Sequence, residues 1–159
     1  MGVGLAFVPA AFADDAVVDG AAPDPVQVAP GPTSETADPA ALAACAQFAQ
    51  VLDGSSSYYG DFADSFEGSN YADPAVGSSN EVGRTALRES AGLAMDAANT
   101  PGLQPDIADP MRVWSLGAAK LLVRMGLRLP GDGLNSTATE MNTQAEKVQE
   151  ACAAAGTHA

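Results

Sequence analysis

The chain has 159 residues, with 20 Asp and Glu against 7 Lys and Arg, and a formal net charge of −13. Such a balance excludes a general nucleic-acid binder, because phosphate recognition needs a basic surface, and it disfavours wholesale attraction to anionic lipid. The charge is also segregated: residues 1–83 hold twelve carboxylates and no Lys or Arg, whereas residues 84–159 hold eight carboxylates and all seven basic residues.

Residues 1–13 read as the remnant of a secretory signal. An apolar run from Gly2 closes on Ala11-Phe12-Ala13 and is followed at once by Asp14-Asp15. A run of about 7–15 apolar residues closed by a small-x-small triplet is the form of a signal h-region and cleavage site, and it is shorter than the roughly 20 residues that span a bilayer. No Lys or Arg precedes the run. Residues 14–37 read as a Pro/Ala/Asp-rich spacer, with Pro23, Pro25, Pro30 and Pro32 and no hydrophobic period. Too little apolar surface is present there to offset the entropy of ordering. The bundle domain is expected over 38–156, followed by a frayed tail at 157–159, and the expected location is secreted or in the periplasm or cell envelope.

Two cysteines, Cys45 and Cys152, make a disulfide the default for an exported chain. The bridge would close a loop of about 108 residues and stabilise the fold by about 4.7 kcal/mol on the chain-entropy model. A redox or metal role fits poorly, since there is no C-x-x-C and the one histidine is His158.

Four helix starts are legible. Asp38-Pro39, Asp73-Pro74 and Asp109-Pro110 each put an N-capping carboxylate before a proline whose missing N–H has no intrahelical partner anyway. Thr137 to Glu140 matches a capping box. In the first helix Leu42, Cys45, Phe48 and Leu52 share a face, and Asp53-Gly54 with three serines should interrupt or bend it before Tyr58, Tyr59, Phe62 and Phe66 resume the stripe. The second helix is expected over about 80–98, with Val82, Leu87, Ala91, Ala94 and Met95 inward and Asn99-Thr100-Pro101-Gly102 as its stop. The third, 110–128, is apolar on most sides and is expected at the centre, ending at Pro130-Gly131. The fourth is expected over about 138–155, stopping at Gly156. Alternating strand patterns are absent. Short connections imply an all-α antiparallel four-helix bundle, in which the start of the first helix and the end of the last are neighbours, as the disulfide requires.

The residues for most catalytic chemistry are missing. A nucleophile needs a positioned base, yet the only His is penultimate and no G-x-S-x-G occurs. Asp61, Asp64 and Glu67 lie at i, i+3 and i+6 and read as a solvated acidic face; with Asn70 and Asp73 they lack the spacing of an EF-hand loop. Neither a metal nor a cofactor is expected. Asn135-Ser136-Thr137 fits a glycosylation sequon but reads better as helix-start punctuation.

Two features remain. Arg112, Lys120, Arg124 and Arg128 form a basic stripe on the apolar third helix; it is expected to face the carboxylates of the first two helical segments, with membrane-surface proximity as the alternative. Lys120 and Arg124 near its middle, at about 3 kcal/mol each, exclude a transmembrane role. Five of the seven aromatics beyond the apolar N-terminal run lie between Tyr58 and Tyr71. They form either core, or the rim of a pocket or interface where tyrosine hydroxyls find partners, the pocket lying between helices and lined by Tyr58, Tyr59, Phe62, Phe66, Met95 and Trp114.

The overall plan resembles small exported helical proteins of actinobacteria. Within that set, Gly60-Asp61-Phe62-Ala63-Asp64-Ser65, about fifteen residues after Cys45, resembles the first helix of the haemophore-like group, whose members hold haem with Tyr and His in a motif like G-D-Y-x-D-S-H-P. Phe62 stands here at the Tyr position and Phe66 at the His position. The sequence thus predicts a non-catalytic envelope or secreted protein that docks on a partner protein through Tyr58, Tyr59, Phe62, Phe66, Tyr71 and Trp114. The alternative is a carrier of an apolar ligand, lipid or haem, held between helices.

Overall fold

The computed structural model of the chain describes residues 33–159. Its signal-like run and most of its proline-rich spacer therefore lie outside the described residues. Four helices make up the fold: α1 (Pro39–Phe66), α2 (Pro74–Ala98), α3 (Pro105–Gly126) and α4 (Gly131–Ala154). Each packs antiparallel against the next, while α1 and α4, which would close the bundle, meet only sparsely. Cys45 and Cys152 form the disulfide across that seam, their Cα atoms 6.1 Å apart.

The starts of α1 and α2 obey their local chemistry. The Asp38 carboxylate accepts from the backbone N–H of Ala40 at 2.8 Å and of Ala41 at 3.4 Å, and Asp73 accepts from Ala75 at 2.9 Å. These bonds satisfy donors that the first turn of a helix leaves orphaned. As a result α2 begins at Pro74, six residues before the expected boundary.

Elsewhere the local signals are overridden. Asp53-Gly54 and the serines do not interrupt α1, which runs unbroken for 28 residues. Glycine costs only about 1 kcal/mol in a helix interior, less than the burial of Phe48, Val51 and Phe62 along the same face returns. Ser55 and Ser56 bond back to the carbonyls of Leu52 and Asp53 without leaving the helix. Asp109-Pro110 does not start α3, which begins at Pro105 and carries Pro110 inside it. The carbonyl that Pro110 cannot serve belongs to Asp106, an exposed residue that water reaches. Asp109 instead pairs with Arg112 at 2.9 Å. Thr137 to Glu140 is no capping box either: α4 starts at Gly131, and Thr137 is fully buried with its hydroxyl on the Gly133 carbonyl at 3.1 Å.

Both α3 and α4 end in a Schellman motif. After α4 the left-handed position is Gly156 (φ 81°), and Thr157 donates to the Cys152 carbonyl at 2.9 Å. After α3 it is Arg128 (φ 53°), and Leu129 donates to the Arg124 carbonyl at 3.1 Å. The expected fraying at 157–159 is absent. Thr157 is buried, and the backbone N–H of Ser34 donates to the Gly156 carbonyl at 2.7 Å, so the end of the spacer lies against the end of the bundle.

The core contains Phe48, Phe62, Leu87, Met111, Leu121 and Met125, with Phe48 edge-on to Trp114 at 5.5 Å. Two of its buried polar side chains reach carbonyls of neighbouring helices: Ser115 donates to Ala91 at 2.7 Å and Asn80 to Met125 at 3.3 Å. Val82, expected inward, is 49% exposed. Helix α3 is not central. It packs between α2 and α4, and its second apolar face points outward.

Candidate functional site

The α1–α4 seam is held at its two ends and parted between them. At one end is the disulfide. At the other, the Phe66 ring comes against Gly131 at the start of α4, and the Tyr71 hydroxyl donates to the Leu129 carbonyl at 3.0 Å, tying the first interhelical loop to the third. Tyr59, Phe62, Phe66 and Tyr71 stack in sequence at this end, with Phe66 and Tyr71 centroids 4.9 Å apart.

Between the ties lies a cleft of about 180 Å³. Leu87, Trp114 and Leu121 of α2 and α3 form its floor, Leu52 and Tyr59 one wall, and Ala138 and Met141 the other. Asp53, Ser56 and Asn142 supply polar groups to the lining. The gap has a steric origin: Ser55 and Ser56 on α1 and Ala138 on α4 are too small to fill the space their helices enclose. Gly117 contributes from the far side. A Cβ there would stand 2.7 Å from Met141 Cγ, so its absence lets the Met141 side chain approach α3. Past Tyr59 the seam continues into a second hollow of about 330 Å³, lined by Phe62, Phe66, Leu134 and Asn135 with Asp64 and Glu67.

Burial raises the Tyr59 phenol above its ordinary pKa, and the nearby Tyr71 hydroxyl adds to the shift. Burial likewise raises Tyr71, partly opposed by the positive charge of Arg128. Both therefore present neutral hydroxyls. The cleft offers an apolar interior, a neutral phenol and an aspartate.

The sequence-derived candidates separate in space. Tyr59 and Trp114 line the cleft, while Phe62, buried, and Phe66, half-buried, line the second hollow. Tyr71 is half-buried and structural, and Met95 takes no part in the cleft. Only Tyr58 projects, 45% exposed, beside Glu81, Val82 and Glu89 on α2. Asp61, Asp64 and Glu67 are exposed, and no group of three His, Cys, Asp or Glu among the described residues is placed to hold a metal ion.

The basic stripe does not face those carboxylates. Arg112 binds Asp109 and the Ala98 carbonyl, Lys120 binds Glu140 at 2.9 Å, and Arg124 donates to the Gly133 carbonyl at 2.6 Å. The packing explains this, because α3 lies between α2 and α4 rather than beside the acidic half of α1. Among the described residues no helix is long and apolar enough to cross a membrane.

Sequence reasoning missed Leu52, Ser55, Ser56, Ala138, Met141 and Asn142. The signal was present in the serine run after Gly54, which reads as a helix break but acts as a strip of small side chains within a helix.

These features define a disulfide-tied four-helix bundle with an inter-helix cleft. Residues 29–153 match the family described as the Rv2240c four-helix bundle domain, and the chain belongs to that family. This mycobacterial family agrees with an actinobacterial helical protein, and the match begins inside the segment read as spacer. No curated protein and no solved structure matches the chain.

Proposed function

We propose that the protein is a non-catalytic, extracytoplasmic binding protein that holds an apolar small molecule in the α1–α4 cleft. One observation carries this reading: the two helices are tied at both ends and parted between, over a floor of Leu87, Trp114 and Leu121. Filling such a gap with protein side chains would have been the stabilising choice. An apolar cavity of about 150 Å³ takes up benzene, so this cleft of about 180 Å³ suits one ring or a short acyl segment. The disulfide and the signal-like apolar run support a location outside the cytoplasm. A haem reading would rest on Tyr59, since Phe62 and Phe66 carry no atom able to bind iron.

The test is a native mass spectrum, taken without reductant, of protein recovered from its host's envelope fraction. The expected result is a chain two hydrogens light carrying an apolar small molecule, with the adduct lost in Ala138→Phe, which fills the slot. Bare protein in both preparations would overturn the proposal.

A second reading, docking on a partner protein, is favoured by Tyr58 and Val82. Both are half-exposed, stand among Glu81 and Glu89, and lie in a half of the chain without basic residues up to position 83. An aromatic centre with a carboxylate rim suits a cationic amphipathic helix. Replacing Phe62 cannot test this, because it is buried. The usable variant is Tyr58→Ser with Val82→Ser, which should weaken binding of a lysine-rich helical peptide and lower its salt dependence. Unchanged binding removes this reading.

A further inference from the structure

Helix α3 has two apolar faces. One, centred on Trp114, Leu121 and Met125, builds the core. The other consists of Val113, Leu116, Val123 and Leu127, which are 49%, 62%, 56% and 67% exposed. With Lys120 between them these residues recur at steps of three, four, three and four, the heptad spacing of a coiled-coil seam. At 100° per residue the five fall within about 80° of arc, on the side of α3 opposite the core.

We propose that this stripe is a self-association surface, covered by the same stripe of a second copy running antiparallel. Charge selects the occupant. The half of the chain that bears the stripe carries a formal −1, whereas residues 1–83 carry −12. The cations at the stripe are engaged within their own chain, Lys120 by Glu140 and Arg124 by the Gly133 carbonyl. Lys120 is neutralised by that pairing, whereas Arg124 keeps its charge on a carbonyl partner, so the strip is only weakly charged beside the strongly acidic half; pairing two such strips puts the acidic halves on the far sides of the dimer.

Spacing supports the same occupant. Counted from Lys120, the apolar residues stand at −7, −4, +3 and +7, a pattern nearly unchanged by reversal. A two-fold axis near Lys120 therefore brings Val113 toward Leu127 of the second copy and Leu116 toward its Val123, an isologous contact. Each Lys120 then lies close to the Glu140 of both copies, so no charge is left unpaired at the axis.

The strip covers 15 residues, about 21 Å of helix; at a helix width of about 10 Å it presents roughly 210 Å², well under the roughly 800 Å² per partner of a standard interface. The dimer should accordingly be weak, forming between roughly 10 µM and 1 mM. It should tighten with added salt, which screens repulsion between chains of net −13.

The test is sedimentation equilibrium of the full chain across that concentration range at low and high salt. The wild type should approach twice the monomer mass, more readily at high salt. Leu116→Glu with Val123→Glu, both at exposed sites, should stay monomeric with an unchanged helical spectrum. A wild type that is monomeric throughout overturns the proposal, as does a double variant that still associates. Monomeric wild type that cosediments with anionic phospholipid vesicles, and loses this in the double variant, gives the face to a membrane instead. Should the double variant misfold, Lys120→Cys supplies the readout: oxidation should yield a disulfide-linked dimer near the two-fold axis, and failure to crosslink counts against the arrangement.

Discussion

Reducing the Cys45–Cys152 bond should cost between about a third and nearly all of the stability of a typical small domain. The two residues are 107 apart in sequence, and on the chain-entropy model releasing such a loop removes about 4.7 kcal/mol. Domains of this size are stable by only about 5–15 kcal/mol. Little in the native state compensates, because α1 and α4 scarcely touch outside the tie at the Phe66 end. Both cysteines are fully buried, and reduction removes no heavy atom, so no cavity term of the kind left by a truncation enters. Urea denaturation followed by circular dichroism, with and without reductant, is the assay. At a slope of about 1.5 kcal/mol/M the midpoint should fall by roughly 3 M. A fall of under about 0.5 M with an unchanged slope would refute the reasoning, and would show that the α1–α4 seam is held by packing.

Other outcomes follow from single residues. Arg128→Gly should raise stability by about 1 kcal/mol, since the left-handed position after α3 penalises any Cβ; a lower melting temperature would contradict this. Tyr71→Phe removes the bond to the Leu129 carbonyl and should cost about 1 kcal/mol in chemical denaturation. Glu140 is held below its ordinary pKa by its hydrogen bond and charge interaction with Lys120. Its contribution is therefore present above the unfolded-state pKa and lost as pH falls through the lowered folded-state value. Carbon-13 NMR titration should show that lowered value returning toward normal in Lys120→Met.

The bundle was legible because its determinants are local or pairwise. Asp38 and Asp73 cap as their type dictates, and an up-down-up-down bundle makes neighbours of the ends that carry Cys45 and Cys152. Boundaries were lost where tertiary packing outbid a local signal. Gly54 and the serines after it lie in a helix whose apolar face is buried on both sides of them. Pro110 is tolerated where its unserved carbonyl belongs to an exposed residue. Thr137 bonds back within α4 instead of capping it. Of the cleft's lining only Tyr59 and Trp114 were legible as candidates, since they announce themselves as aromatics. The rest depends on what Ser55, Ser56 and Ala138 do not fill, and an empty volume leaves no hydrophobic pattern. The outward stripe of α3 was visible as an apolar excess, but a count of apolar residues cannot say which of two opposite faces is buried.

The most direct test of the central claim is a methyl and indole NMR titration of the oxidised protein with a neutral one-ring aromatic ligand. The expected result is saturable shifts confined to Leu52, Leu87, Met141 and the Trp114 indole, suppressed in Ala138→Phe, with Val123 and Leu127 on the outer face unmoved. Shifts that do not saturate, or that appear first at the outer face of α3, would contradict a binding cleft between α1 and α4.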